Sequence, residues 1–255
     1  MLIVTPRHTM TDLQMWEDYR QVDMATCFPW RKLADSINVV RKWRENHIDG
    51  VAYTSWGKDS VVLLTVIVES GIDVPVVYVR TDRSNPDCLL VRDQFLKMFQ
   101  IDYREHEYEY AAVNGNDGHW KDIARRYGDH RITGIRNDES GRRQLVWNIY
   151  GFESEHSCRP LAKWRSHEVF AYIEQMKLPL CPVYGYLGGG RYDRSMLRTH
   201  SIVGSSGDGM GRKEWEKEYY GDIVNRIQSG LPSTDRGEDR YIVEPCRFSS
   251  RTGQS

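Results

Sequence analysis

A turn at residues 55–60, with the sequence Ser-Trp-Gly-Lys-Asp-Ser, lies between two apolar runs of the chain. Gly57 allows the backbone to turn sharply and to approach an anion closely. A helix that opens at Asp59 and Ser60 presents first amides that have no partners of their own, and its dipole is positive at that end. Such an arrangement attracts an anion. The pattern therefore predicts a site for the phosphates of a nucleotide.

The side chains of the turn suit the same chemistry. The hydroxyls of Ser55 and Ser60 can donate to phosphate oxygens, and Lys58 supplies a compact positive charge. Asp59 can either hold a magnesium ion or cap the helix. The Gly-x4-Gly-Lys-Ser/Thr spacing of a Walker A loop is absent. An ordinary glycine turn before a strand–helix unit is the alternative interpretation.

The elements around the turn predict how it is positioned. The pattern indicates a buried helix over residues 60–70 that ends at Gly71, a helix over residues 91–99, and strands before the turn and at residues 76–81, 101–108 and 131–135. Strands that alternate with helices form parallel units with helices on both faces. We therefore predict an α/β fold, a doubly wound and mainly parallel five-stranded sheet. The turn follows its first strand at the carboxyl end, where ligands bind in such sheets.

The flanking segments suggest three parts. Residues 1–48 form a helical N-terminal extension with an amphipathic helix over residues 30–47, although residues 1–30 show no clean period. Residues 49–184 form the nucleotide-binding core and include a helix over residues 166–176. Residues 185–255 hold a long basic Gly/Arg loop, a helix over residues 212–227 and a tail that we expect to be mobile.

Composition limits the function classes. The 255 residues carry a net charge of −1, which gives no overall attraction to nucleic acid, so phosphate recognition must be local. The sequence shows no apolar run of about 18 residues and no secretory leader, so we expect a cytoplasmic protein without a membrane partner. The cysteines form no CxxC pair, so we expect neither a zinc ribbon nor an iron–sulfur cluster: they are Cys27, Cys88, Cys158, Cys181 and Cys246.

The turn resembles the PP-loop of the ATP pyrophosphatase superfamily, whose usual pattern is Ser-Gly-Gly-x-Asp-Ser. Trp56 departs from that pattern at the second position, where the small subunit of bacterial ATP sulfurylase also tolerates a bulky residue. Enzymes of this superfamily cut ATP between the α- and β-phosphates and release pyrophosphate, or handle an adenylylated relative. The resemblance implies ATP or a related adenine nucleotide, with Mg²⁺, as cofactors.

Three further segments resemble the phosphoadenylyl-sulfate reductase and ATP sulfurylase small-subunit family: residues 78–82, residues 133–143 (Thr-Gly-Ile-Arg-Asn-Asp-Glu-Ser-Gly-Arg-Arg) and residues 158–164 (Cys-Arg-Pro-Leu-Ala-Lys-Trp). An arginine fork at a strand end suits phosphate or sulfate, although a solvated charged loop would read the same way. The resemblance spans residues 48–186 and implies roles for residues of the turn and of these three segments. The catalytic residues would be Lys58, Asp59, Arg136 and Asp138. Nucleotide would be bound by Ser55, Gly57, Lys58, Asp59, Ser60, Val79, Thr81, Asp82, Gly134, Arg136, Arg142 and Arg143, and an anion by Arg159 and Lys163.

The basic loop of residues 185–212 has three interpretations. Its glycines and arginines suit a lid that closes over an anion, with Arg194 and Arg198 as binding residues. It could equally contact nucleic acid or a partner subunit, or be disordered. Spacing alone does not decide between them.

The function predicted is that of an ATP-binding enzyme of sulfur metabolism, a nucleotidyltransferase that transfers adenylate and releases pyrophosphate. A divergent phosphoadenylyl-sulfate reductase is the alternative, but Cys246 lacks the Glu-Cys-Gly-x-His tail of those enzymes. A second alternative is a nucleotide-binding module of a larger assembly that is silent because Trp56 crowds the loop. The resemblance implies a GTPase-like partner subunit; a homo-oligomer is the other expectation. The acceptor is not identified.

Overall fold

A computed structural model describes residues 1–110, 118–204 and 211–234. Among them, the helices are α1 (Met10–Ala25), α2 (Trp30–Asn46), α3 (Lys58–Ser70), α4 (Asp87–Met98), α5 (Gly118–Tyr127), α6 (Gly141–Tyr150), α7 (Ser166–Gln175) and α8 (Arg212–Gln228). The strands are β1 (Val51–Thr54), β2 (Val76–Thr81), β3 (Tyr103–Tyr108), β4 (Arg131–Ile132), β5 (Glu153–Ser154) and β6 (Ser157–Cys158). No described helix is both long and apolar enough to span a bilayer.

The sheet has the order β3-β2-β1-β4-β6-β5, and every pairing is parallel except that of β5 with β6. The chain moves outward from β1 to β3 on one side and then continues on the other side from β4. The order of the strands therefore reverses between β1 and β4, and ligands of open α/β sheets bind at the carboxyl ends beside such a point. The phosphate turn follows β1 at that place.

The predicted α/β class is confirmed, with six strands in place of five. The sequence located four of these strands; the other two are β5 and β6, a hairpin of two-residue strands that is too short to show a period of two in the sequence. The fourth strand is also shorter than predicted. It ends at Ile132, and residues 133–135 leave the sheet toward the phosphate turn.

Helices cover both faces, because each face of the sheet is apolar. The main core lies on one face and contains the nearly continuous apolar run of α3, which the sequence predicted as a buried helix ending at Gly71. Gly71 adopts a φ of 69°, the left-handed conformation common after a helix. A smaller cluster of Val51, Val77 and Ile123 lies on the other face under α5.

The flanking segments pack into the same core as the sheet. Helix α1, which the sequence pattern did not reveal, is capped by Thr9 and Asp12 and packs against α7. The buried Asp12 carboxylate also accepts a hydrogen bond from the Tyr219 hydroxyl at 2.9 Å. Trp16 of α1 and Trp215 of α8 belong to the main hydrophobic cluster. The division into three parts at residues 48 and 184 stays a prediction.

The described part of the basic loop is packed. Short 3-10 turns span Pro182–Gly185 and Gly188–Gly190, and the side chains of Leu187, Leu197 and Ile202 are buried. Burial of these side chains excludes the disordered interpretation for residues 185–204. The predictions on Cys246 and on the tail beyond residue 234 lie outside the described residues.

Candidate functional site

The turn after β1 has the geometry of an anion cradle. Ser60 accepts a hydrogen bond from the Ser55 amide at 3.1 Å, and the two hydroxyls lie 3.1 Å apart. Gly57 has an extended backbone at the start of α3. A Cβ on Gly57 would lie 2.9 Å from the Thr199 hydroxyl and 3.0 Å from that of Tyr184. Glycine is therefore needed at this position for close packing against Thr199 and Tyr184.

Trp56 explains why the usual pattern has glycine at its position. Its φ is 56°, a left-handed conformation that is strained for a bulky residue. The indole is fully buried and packs against Tyr78, Phe95 and Tyr103, with ring centroids 5.5 to 6.4 Å away. The side chain therefore anchors the turn to the core. It does not crowd the phosphate side, so the reason given for a silent module is wrong.

Three charged groups meet at the start of α3, of which Lys58 and Arg136 are buried. The Lys58 ammonium is 2.8 Å from one oxygen of Asp59, and Nε of Arg136 is 2.6 Å from the other. Burial lowers the pKa of Lys58 to about 8, with Arg136 acting in the same direction and Asp59 opposing. Burial raises the pKa of Asp59, but Lys58 and Arg136 outweigh it and hold the pKa below its usual value. Asp59 is therefore ionised and fixes both cations in place.

The charges continue from Arg136 toward α6. Arg136 binds Asp138 at 2.8 Å and approaches Glu139 at 3.8 Å. Glu139 also binds Arg143 and lies 3.8 Å from Arg198. We call this set the cation cluster: Lys58, Asp59, Arg136, Asp138, Glu139, Arg143 and Arg198. It holds four cations and three anions, so its ordinary charge sum is positive and suits an anionic ligand.

Gly134 brings the segment after β4 against the phosphate turn. A Cβ at this position would lie 3.0 Å from the Asp59 carbonyl oxygen. A larger residue would push Arg136 away from Asp59. The segment that begins at Gly134 therefore lies against the phosphate turn, and the absence of a side chain at Gly134 allows this close contact.

Two residues of the site were not predicted from the sequence. The Tyr184 hydroxyl accepts a hydrogen bond from the Lys58 amide at 3.1 Å, and Thr199 donates to the Ser55 carbonyl at 3.3 Å. Burial raises the pKa of Tyr184, so its hydroxyl keeps a proton that it can donate. Tyr184 lies in the mainly apolar run of residues 178–184, whose residue types indicate packing alone. Thr199 carries no local signal at all.

The end of β2 lies beside the turn. The register pairs Thr54 with Tyr78, whereas β2 continues to Thr81, so the edge of residues 79–81 that faces β1 has no paired strand in the described chain. The Thr81 amide donates to Ser84, and Asp82 accepts from the Tyr110 amide at 2.6 Å. The Ser84 hydroxyl and the Asp82 carboxylate thus hold the turn after β2. A role for the Val79 backbone toward adenine stays a prediction.

The remaining predicted anion ligands separate into two groups. Arg198 reaches the cation cluster, and Arg142 and Arg159 line a cavity beside it, whereas Lys163 lies over the rings of Trp147 and Phe152. Arg194 is elsewhere. Its guanidinium makes two bonds of 2.7 Å to Asp23 of α1 and is buried among aromatic rings. The prediction that Arg194 binds an anion is therefore wrong, because a carboxylate already occupies its fork.

The carboxylates of the site do not fit a magnesium ion on Asp59. Both Asp59 oxygens face cations at 2.6 and 2.8 Å, and Asp138 and Glu139 bind arginines. Among the described residues, no group of three or more His, Cys, Asp and Glu side chains could hold a metal. The predicted role of Asp59 is corrected to that of an anchor for Lys58 and Arg136.

Known proteins resemble part of the chain. The chain is 24% identical to sulfate adenylyltransferase subunit 2 of Xanthomonas oryzae over 196 residues, which cover 59% of this chain and 65% of that protein. The subunit 2 of Colwellia psychrerythraea is also 24% identical, over 59% of this chain and 66% of its own. The matched part thus spans less than two thirds of these relatives.

One solved structure that the chain matches is the phosphoadenylyl-sulfate reductase of Candida auris, at 17% identity and a TM-score of 0.46, over 58% of this chain and 82% of that one. The sequence model of the phosphoadenosine phosphosulfate reductase domain matches residues 50–188, which include β1, the phosphate turn, the cation cluster up to Arg143, and Tyr184. This match covers more than half of the sequence. The chain therefore belongs to the phosphoadenosine phosphosulfate reductase domain family.

Proposed function

We propose that the protein binds ATP at the turn of residues 55–60 and transfers its adenylyl group to an acceptor, with release of pyrophosphate. The observation that carries this proposal is the cation cluster. It places buried Lys58 and Arg136 on both sides of Asp59, at the amino end of α3 and at the point where the strand order reverses. Helix amides, a fixed ammonium and a fixed guanidinium there suit a chain of phosphates.

Catalysis in this proposal is positioning and charge stabilisation. An oxyanion of the acceptor attacks the α-phosphorus in line, the bond from that phosphorus to the bridging oxygen breaks, and pyrophosphate leaves with the electron pair. The turn amides, the Ser60 and Tyr184 hydroxyls and Lys58 would hold the pyrophosphate. Arg136, together with Arg143 and Arg198, would neutralise charge that develops at the α-phosphate.

Several finer points belong to the proposal. The relatives are subunits of sulfate adenylyltransferase, which supports a partner subunit for this chain. That partner would be either a GTPase-like subunit or a second copy of the chain. Mg²⁺ would be a counter-ion of the ATP phosphates, with no ligand role for Asp59. A cytoplasmic location and the lack of an iron–sulfur cluster stay predictions. The same holds for nucleic acid, which net charge does not favour as a partner.

Turnover of ATP labelled in the α-phosphate tests the proposal. We expect labelled AMP or a labelled adenylylated acceptor from the wild type, and at least about 100-fold less from Lys58→Ala, since a charged group aimed at the phosphates is lost. Lys42→Ala, at an exposed position of α2, is the matched control and should retain full turnover. Equal turnover by all three proteins would contradict the assignment of the turn.

Reduction of phosphoadenylyl sulfate is the second candidate, because the matching family is named for that reaction. The described cysteines do not favour it. Cys88, Cys158 and Cys181 are buried, Cys27 is exposed near the end of α1, and burial raises the pKa of Cys158 and of Cys181. Thiols in that state are poor nucleophiles. Release of sulfite from phosphoadenylyl sulfate in the presence of a thiol donor would establish reduction instead of adenylyl transfer.

A further inference from the structure

A cavity of about 290 Å³ lies beside the cation cluster, between α6 and the segment after β6. Three arginines contribute to its wall, and no acidic residue does. The rest of the wall is mainly apolar, with one indole ring. The lining residues are Ile135, Asn137, Ser140, Arg142, Arg143, Val146, Trp147, Arg159 and Ala162.

Arg159 gives this cavity its chemical preference. Only 8% of the residue is exposed, and its two terminal nitrogens donate to the Ser154 hydroxyl and to the Gly151 carbonyl, both at 3.3 Å. Its Nε is buried and has no hydrogen-bond partner within the described chain, and no described carboxylate lies within ion-pair distance. A buried guanidinium with neutral partners only is unfavourable. An anion in the cavity would provide the missing partner.

Comparison with Arg136 supports the inference that Arg159 binds an anion. Arg136 is also buried but has ion pairs with Asp59, Asp138 and Glu139. Arg159 has none of these, although both arginines lie on segments that follow adjacent strands, β4 and β6. Carboxylates therefore neutralise the charge of Arg136, whereas Arg159, which faces the cavity, has no carboxylate partner in the described chain.

The size and the lining of the cavity point to an organic ligand. Its volume is at the lower end of the range of small-molecule sites, about 300 to 1,000 Å³. Sulfate has five heavy atoms and no apolar surface, so it would leave Val146, Trp147 and Ala162 without a contact. A ligand with an anionic head for the arginines and an apolar or aromatic body for Trp147 would satisfy both parts of the wall.

The cavity adjoins the proposed site of chemistry through Arg143. This residue lines the cavity and also binds Glu139, which lies 3.8 Å from Arg136 in the cation cluster. An anionic head held by Arg143 would thus be next to the groups assigned to the α-phosphate. Arg142 adds an exposed charge at the mouth of the same cavity.

We propose that this cavity binds the acceptor and that the acceptor is an organic carboxylate with an apolar body. The inference rests on the proposed function. In the step, one carboxylate oxygen forms a bond to the α-phosphorus of ATP, and the bond from that phosphorus to the bridging oxygen breaks. Pyrophosphate leaves with the electron pair, and the product is a mixed anhydride of the acid and AMP. No oxidant or reductant is involved.

Binding measured without ATP tests the inference. The probes are benzoate, its neutral analogue benzyl alcohol, and sulfate. Their binding to the full chain is measured by saturation-transfer NMR and calorimetry. We expect saturable binding of benzoate, at least about tenfold weaker binding of benzyl alcohol, and no competition by equimolar sulfate.

Arg142→Gln should weaken benzoate binding about tenfold. It should not impair folding, because the Arg142 side chain is exposed. Arg125→Gln, on α5, is the matched control and should bind as the wild type does.

Arg159→Lys and Arg159→Met give the second arm. Both variants remove the fork, but lysine keeps the charge, so it should retain more benzoate binding than methionine at equal folded fraction by circular dichroism. Absence of saturable benzoate binding, displacement by sulfate, or displacement by ATP would each overturn the inference; the last would assign the cavity to the nucleotide. If benzoate binds but no carboxylate supports turnover of α-labelled ATP while another acceptor does, the assignment of the cavity to the acceptor is overturned and the proposed function stands. If benzoate binds and no acceptor of any class supports turnover of α-labelled ATP, the proposed function fails.

Discussion

Two arginines of this protein look alike in the sequence and make different contacts in the structure. Arg194 and Arg198 lie four residues apart in the same basic loop. Arg194 meets Asp23 with two bonds of 2.7 Å and forms a closed, neutral pair under α1. Arg198 instead adds a fourth cation to a cluster that holds three anions. The comparison teaches that a ligand site is marked by charge left uncompensated, and not by arginine as such.

Breaking the closed pair should have the largest effect on stability. Asp23→Ala leaves the Arg194 guanidinium buried without its carboxylate, which typically costs about 3–5 kcal/mol. We expect a loss of that size in the free energy of unfolding, measured in urea. ATP binding by the folded fraction should be unchanged. A variant with normal stability would contradict the role given to Arg194, and Asp18→Ala, on the same helix, is the control.

Removing the Tyr184 hydroxyl beside the cation cluster should have a smaller effect on stability and a clear effect on ATP affinity. Tyr184→Phe deletes the acceptor of the Lys58 amide and a donor that we assign to phosphate. We expect unfolding to change by about 1 kcal/mol and ATP affinity to fall about tenfold or more, since hydrogen bonds to charged groups contribute about 1.5–3 kcal/mol. Tyr150→Phe, at an exposed position of α6, should change neither quantity. Equal affinity of Tyr184→Phe and wild type would remove Tyr184 from the site.

The pH dependence of ATP affinity should report on Lys58 in the cation cluster. Because burial lowers the pKa of Lys58 to about 8, the ammonium is present below that pH and is lost as the pH rises through it. ATP affinity should therefore fall above about pH 8. The stability contribution has the opposite sign: the folded state disfavours the charged form, so this group's penalty is relieved between pH 8 and its ordinary value of 10.5. Lys58→Arg should abolish the fall in affinity. A fall in the affinity of Lys58→Arg equal to that of the wild type would contradict the assignment of Lys58.

The smallest expected effect concerns the contact between the basic loop and the turn. Thr199→Val removes the hydrogen bond to the Ser55 carbonyl but keeps the shape of the side chain. We expect a loss of about 1 kcal/mol or less in stability and an increase in ATP dissociation rate of no more than a few fold. Stopped-flow measurement of dissociation is suitable. Thr26→Val, exposed at the end of α1, is a matched control.

The sequence predicted the parts of the site that are local. The turn at residues 55–60 combines its signals within six residues, and α3 follows it as an uninterrupted apolar run. The α/β class followed from alternating elements. The contacts that complete the site join distant segments: Tyr184 reaches Lys58 across 126 residues, and Thr199 reaches Ser55 across 144. No local period carries such information.

Trp56 shows a different limit. The pattern places a bulky residue where glycine is usual, and from the sequence this predicted crowding of the phosphate side. The structure shows that the strained φ directs the indole into the core against Phe95 and Tyr103. Side-chain direction depends on tertiary packing, so residue type alone could not decide it. Helix α1 was missed for a related reason, since its charges face other segments as well as solvent.

Equilibrium binding of ATP tests the central claim most directly. Lys58→Met removes the ammonium from the cation cluster, whereas Lys42→Met removes one from an exposed helix face. The account predicts that Lys58→Met binds ATP at least about 100-fold more weakly than the wild type, at equal folded fraction, and that Lys42→Met binds it equally well. Unchanged ATP affinity in Lys58→Met would contradict the assignment of residues 55–60 to the nucleotide phosphates.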